Sequence, residues 1–317
     1  METAHRTKSA LVFPGMGPAP FAEVGKFMLI NPFARELVAE ADEALGYSLF
    51  ERFRAAEGDY SVPAQVAFFV NCLALARWAE SQFDIEPAFI TGPSFGGKAT
   101  AVRSGALSFA DGVRLTERFA HCLDRFFEEE YPEEVVTQSF ARTSPAALEE
   151  ILAELTALGE WHEVTCVVDA DFRMLTVRAS RLEWLEARLR AVGGMPLYAM
   201  RPPMHAAAFA ALRARAAVEV MDGLEFRDPT VAVVSDQDGS VLTGGEQIRD
   251  LLLDCCVRPV DWPTALGTLR DQGVGTLCVA GQDALFGRVG VATKNFKIVS
   301  ANPRLALRPQ RRAAAAA

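Results

Sequence analysis

Apolar and polar positions alternate along this chain in blocks whose period shifts between helix-like and strand-like. Residues 9–13, SALVF, form a short apolar run that stops at Pro14-Gly15-Met16-Gly17-Pro18, the pattern of a buried strand entering a loop. Helical periodicity follows over 22–28 and 32–45, and 65–82 is one long helical stretch rich in Ala, Leu and Phe. Residues 88–91 read as a second buried strand. Residues 109–127 read as an amphipathic helix, with Phe119 and Leu123 four apart and Glu128-Glu129-Glu130 at its end.

The texture changes between 135 and 201. A strand is predicted at 135–142, and Ser144 opens a helix to about 158. Residues 163–168 and 174–179 alternate like a paired hairpin. Ser180 is placed as the cap of a helix to 192, and 195–200 reads as a last strand. That β-α-β-β-α-β order is ferredoxin-like. Parallel-sheet signals then resume, with strands at 231–235 and 276–280 and helices at 246–255 and 263–272. The small unit is therefore expected as an insert. The division predicted is 1–132 and 203–303 for a large α/β subdomain, 133–202 for the small one and 304–317 for a basic, Ala-rich tail.

Between the strand at 88–91 and an Ala-rich helical run lies Gly92-Pro93-Ser94-Phe95-Gly96. Strand, sharp turn and helix are the context of a nucleophile elbow. The turn strains the central residue, and a Cβ on either flank would clash. A bare GxSxG arises by chance in about one chain in ten of this length, so the flanking elements carry the reading. They mark Ser94 as the candidate nucleophile, with the N–H of Phe95 at a helix N-terminus beside it.

Composition narrows the classes. At 317 residues, half of them hydrophobic, the chain can bury a large core. A net charge of −9 argues against nucleic acid as the main partner. Six scattered cysteines without a CxxC, no signal-type N-terminus and no apolar run judged long enough to span a bilayer predict a cytoplasmic protein with reduced thiols and no membrane partner. Four well-separated histidines predict no metal site.

Further motifs lie in one order along the chain. They are Phe13-Pro14-Gly15-Met16-Gly17, Gln65-Val66-Ala67, the elbow, Gly105 through Phe109, Asp111, Arg114 and Leu115, then Pro259-Val260-Asp261-Trp262 and Gly281-Gln282-Asp283-Ala284-Leu285. In this set the chain resembles the malonyl-CoA:acyl carrier protein transacylases, the family that includes polyketide-synthase acyltransferases. The resemblance runs from Phe13 to about Val289. It implies an α/β-hydrolase-like core with a parallel sheet and the ferredoxin-like insert. It also implies a ping-pong acyltransferase with Ser94 as nucleophile and His205 as base, using no bound cofactor. The acyl group would travel as a thioester of CoA or of a carrier protein's phosphopantetheine arm. The partner implied is an acyl carrier protein of a polyketide synthase, and a monomer is expected.

The resemblance further assigns the oxyanion hole to the backbone N–H groups of Met16 and Phe95. It assigns orientation of His205 to a carbonyl near Cys255, and substrate contacts to Gln65, Phe119 and Met204. The departures are informative. Pro93 stands where the family has His, Gly97 where it has Glu, and Phe119 where an arginine clamps the malonyl carboxylate. They imply a neutral acyl unit, such as an aminoacyl or dipeptidyl group, as in discrete acyltransferases of macrolactam pathways. An editing hydrolase, a transacylase with its carboxylate held by Arg118 or Arg201, and a non-enzymatic docking module are the competing readings. Arg142, Arg173, Arg201, Lys294, Lys297 and Arg304 are candidates for docking an acidic carrier.

Overall fold

The computed structural model describes residues 8–131 and 134–308; the expected subdomain boundary at 132/133, His5 and most of the tail lie outside them. Eleven strands run β1 (Lys8–Val12), β2 (Pro87–Thr91), β3 (Val135–Ala141), β4 (His162–Asp169), β5 (Phe172–Arg178), β6 (Met195–Met200), β7 (Ala232–Val234), β8 (Val241–Leu242), β9 (Val260–Asp261), β10 (Val274–Ala280) and β11 (Lys297–Ala301). They form two sheets. The large one has the order β11-β10-β1-β2-β7-β8, and all its pairs are parallel except β7 with β8. This is the mixed α/β fold with an inserted small unit that the periodicity predicts.

Helices cover the large sheet. The helix Val62–Phe83 is long and apolar enough to cross a bilayer, with mean hydropathy 1.3, so the reading that no run reaches that length was wrong. Its surroundings explain the composition: 83% of the window is buried in the fold, and residues from Ala64 to Ala76 are buried without a break. It packs against the helices Pro32–Leu45 and Phe109–Glu130. The latter starts where Ser108 accepts a hydrogen bond from the Asp111 N–H, and it buries Leu115, Phe119, Leu123 and Phe126 along one face.

The small sheet has the order β6-β3-β5-β4-β9. Its first four strands are antiparallel neighbours in the ferredoxin-like arrangement, with the helices Pro145–Ala157 and Leu182–Ala191 packed on it around Val136, Phe140, Ile151, Leu175 and Leu189. Ser144 caps the first helix through the Ala147 N–H. Ser180 caps nothing: Ala179–Arg181 is a 3-10 turn that already satisfies the backbone, and the helix begins after Arg181 with no side-chain cap. The fifth strand is unexpected. β9, two residues of the Pro-Val-Asp-Trp motif, pairs in parallel with β4 and ties the insert to the large unit. Two-residue strands such as β8 and β9 leave no periodic trace, and the helices Leu49–Ala55 and Ala210–Glu219 were not foreseen either.

Candidate active site

The elbow is built from its glycines outward. β2 ends at Thr91, whose hydroxyl donates to the Val234 carbonyl at 2.8 Å. A Cβ on Gly92 would lie 2.4 Å from the Gly96 carbonyl oxygen, and one on Gly96 would lie 2.1 Å from that of Phe13. Both obstacles are backbone, so neither position tolerates a side chain. Between them Ser94 sits at φ 55°, in the left-handed region. Pro93 has no amide hydrogen, and its carbonyl accepts from the Gly96 N–H at 3.0 Å to close the turn.

A side chain not foreseen from sequence holds that strained serine. The Ser94 N–H donates to Oδ2 of Asp236 at 2.7 Å. Asp236 follows β7 and is 4% exposed. Burial lifts its carboxyl to about pKa 6, against the opposing pull of the Ser94 N–H and the Arg258 charge.

His205 arrives from the other direction, just past the end of β6, and is itself held at φ 68°. Its Nε2 lies 2.7 Å from the Ser94 Oγ. Its Nδ1–H donates to the Arg258 carbonyl at 3.3 Å, which fixes the tautomer that leaves the Nε2 lone pair facing the serine. Cys255 does not fill the orienting role expected of it. It caps the helix Gly245–Asp254, and the chain must complete the turn through Cys256 and Val257 before a carbonyl faces the ring. The Cys256 carbonyl is itself taken by the Ala206 N–H at 3.2 Å. Burial lowers the pKa of His205 to about 4, so the imidazole is neutral at ordinary pH and ready to accept a proton.

Ser94 and His205 open onto an apolar pocket that brings together Met16, Gln65, Phe95, Phe119, Met204 and Cys255. Gln65 is anchored by donating to the Tyr60 carbonyl at 2.9 Å. Among the described residues no carbonyl accepts from the N–H of Met16 or of Phe95, so both remain available beside the serine. Phe119 is 3% exposed and lines the wall. Arg118 on the neighbouring position points away and donates to the Asp222 carbonyl at 2.9 Å; Arg201 pairs with Glu134. Neither guanidinium lines the pocket. Of the other candidate surface cations, Arg173 is engaged by the Phe172 and Asp169 carbonyls. His121 is exposed on its helix, and His162 starts β4.

Lys98 is the second residue that sequence reading missed. It belongs to the elbow helix Gly96–Arg103, every residue of which from Gly96 to Ala101 is buried. The one signal available was a lysine inside an otherwise small-residue run.

A strained serine in hydrogen-bond contact with a neutral, carbonyl-oriented histidine, both lining an apolar pocket, can carry out acyl transfer through a serine ester. Known proteins resemble this chain in sequence and in fold. Residues 139–200 match the family described as VinK acyltransferase small domain. The chain is 29% identical over 287 residues to the malonyl CoA-acyl carrier protein transacylase of Escherichia coli strain K12, covering 87% of this chain and 89% of that protein. In fold it is similar to a malonyl-transacylase solved with its type II polyketide-synthase acyl-carrier protein, with TM-score 0.81, 22% identity and coverage of 93% and 96% of the two chains. It is also similar to the acyltransferase domain from the second module of the salinomycin polyketide synthase, with TM-score 0.72, 23% identity and coverage of 93% and 69%. In sequence and fold the chain is thus similar to the malonyl-CoA:acyl carrier protein transacylases, with a small domain of the VinK acyltransferase kind.

Proposed function

We propose that this protein is a cytoplasmic acyltransferase that moves an acyl group, through an ester on Ser94, onto the phosphopantetheine thiol of an acyl carrier protein in polyketide assembly. The observation that carries this reading is the 2.7 Å contact between the Ser94 Oγ and a buried His205 Nε2 at the mouth of the apolar pocket.

The steps follow from the geometry. His205 Nε2 takes the Ser94 proton as Oγ attacks the thioester carbonyl. The N–H groups of Met16 and Phe95 receive the oxyanion, the second of them at the start of the elbow helix, where the dipole favours negative charge. Collapse breaks the C–S bond, and the imidazolium returns its proton to the departing thiolate. The Arg258 carbonyl accepts from Nδ1–H throughout and stabilises the imidazolium while it lasts. A carrier thiol then gives its proton to His205 and attacks the acyl ester, reversing the sequence. No metal or bound cofactor enters these steps.

The acyl group in this reading carries no carboxylate and is of the aminoacyl or dipeptidyl kind, any free α-amino group lying next to the thioester carbonyl rather than at the far end of the pocket. The missing guanidinium and the apolar wall of Phe119, Met204, Leu115 and Met174 support it. Malonyl-CoA:acyl carrier protein transacylation is what the E. coli relative's name describes, so the comparison of substrates is decisive. Intact-mass detection after exposure to neutral acyl and malonyl thioesters should show one acyl adduct, faster with the neutral donor, and none on a Ser94→Ala protein. An adduct that survives Ser94→Ala would refute the elbow; release of free acid without transfer to a carrier would mark an editing hydrolase instead.

A further inference from the structure

Lys98 stands where its chemistry is costly unless used. It is 7% exposed, and its Nζ lies 4.1 Å from the centroid of the Phe95 ring and 4.8 Å from that of Phe119. Both rings and the lysine line the pocket that Ser94 opens into. Among the described residues no carboxylate pairs with its ammonium and no hydrogen bond reaches its Nζ; burial pulls its pKa down to about 8, against the opposing influence of Cys255 and Cys256. Two aromatic faces offset part of the lost hydration of an ammonium, but they satisfy none of its N–H donors. A buried, unsatisfied cation in a packed core is expected to be replaced by an apolar residue unless something arrives to pair with it.

We propose that Lys98 determines acyl specificity by donating a hydrogen bond to an oxygen acceptor in the bound acyl chain, deep in the pocket between Phe95 and Phe119. This deepens the acyl–Ser94 reading and rests on the same pocket. Such an acceptor is either an amide-type carbonyl of an uncharged chain or the carboxylate of a short dicarboxylic one. An acyl chain carrying a free ammonium at that depth would face Lys98 as a like charge and be disfavoured. The lysine comes from the elbow helix, not from the helix that carries Phe119, so the donor is supplied from a different element than the one the missing arginine would have used.

The test separates binding from transfer. In a Ser94→Ala background, which cannot be acylated, calorimetry would compare three thioesters of CoA: pentanoyl, the matched-length N-acetylglycyl, and succinyl. The expected result is that N-acetylglycyl binds about ten- to hundredfold more tightly than pentanoyl, the range of one hydrogen bond to a charged donor. Adding Lys98→Met should abolish that preference while leaving pentanoyl binding within about threefold; adding Lys98→Arg instead should keep part of it. A preference that survives Lys98→Met, or an equal loss for both thioesters, overturns the proposal. If succinyl shows the larger Lys98-dependent gain, the acceptor is a carboxylate: Lys98 keeps its role and the neutral-acyl reading falls. Acylation of the Ser94 protein by the same panel tests the transfer reading on its own.

Discussion

The two ends of the pocket are made on different principles. At the mouth, function depends on backbone. Ser94 and His205 each occupy a positive φ, the glycines beside Ser94 leave no room for a Cβ, the Arg258 carbonyl orients the ring, and one carboxylate, that of Asp236, holds the Ser94 N–H. At the depth, function depends on side chains alone: the Lys98 ammonium lies against the rings of Phe95 and Phe119, and any of the three could change without disturbing the fold's hydrogen bonding. The mouth is therefore suited to one reaction and the depth to many substrates. Chemistry is fixed by geometry that sequence change would destroy, whereas specificity lies where sequence change is inexpensive.

Substitutions can break or sharpen that contrast. The largest effect is expected from His205→Ala, which should slow Ser94 acylation by about 10²–10⁴ without altering which acyl group is preferred, because it touches only the mouth. The same histidine sets the acid limb of the rate. Its pKa lies near 4, below the usual imidazole value, so the base form dominates above that pH. Loading from a small thioester should stay flat from pH 7 to 5 and fall only as pH approaches 4. A fall centred on 6.5 that persists in Asp236→Asn protein, and so does not come from the Asp236 carboxyl near pKa 6, would show that the ring is not buried and neutral as described.

An intermediate effect is expected at the depth. Phe119→Arg alone should improve malonyl loading only modestly, because the new guanidinium would face Lys98 as a like charge. Combined with Lys98→Met it should raise malonyl over neutral acyl loading by about tenfold or more, the scale of one charge-assisted hydrogen bond. Equal gains with and without Lys98→Met would show that the two side chains do not share the site. The smallest effect is expected from Asp236. Asp236→Ala leaves the Ser94 N–H without its acceptor and should destabilise the fold by about 1–3 kcal/mol in urea unfolding, while Asp236→Asn, which keeps an acceptor oxygen, should cost less than half of that.

Sequence pattern located the elbow, resemblance supplied His205 and the pocket residues Phe119 and Met204, and neither reached Asp236 or Lys98, for physical reasons. Gly92, Ser94 and Gly96 fall within one turn, and the turn's steric demands are local, so they can be read from five residues. The position of His205 came only through resemblance, since nothing near it in sequence announces a base. Asp236 and the Arg258 carbonyl were missed because they reach Ser94 and His205 across 142 and 53 residues. Cys255 was chosen three residues too early because a helix cap and a turn cannot be counted from composition. Lys98 was passed over because a lysine on a helix is normally solvated, and only packing shows that this one is enclosed. Most of the longer elements were legible from periodicity, the helices Leu49–Ala55 and Ala210–Glu219 excepted; β8, β9 and the 3-10 turn at Ala179–Arg181 are too short to carry it.

The central claim is that an acyl group rests on Ser94 and leaves by attack of a carrier thiol. Loading the protein with a radiolabelled neutral acyl thioester, removing excess donor, and adding acyl carrier protein with and without its phosphopantetheine arm tests it in one step. The account predicts that label leaves the protein and appears as a thioester on the armed carrier alone, with none on Ser94→Ala protein at the outset. Label that stays on the protein, or that leaves only as free acid, would contradict it.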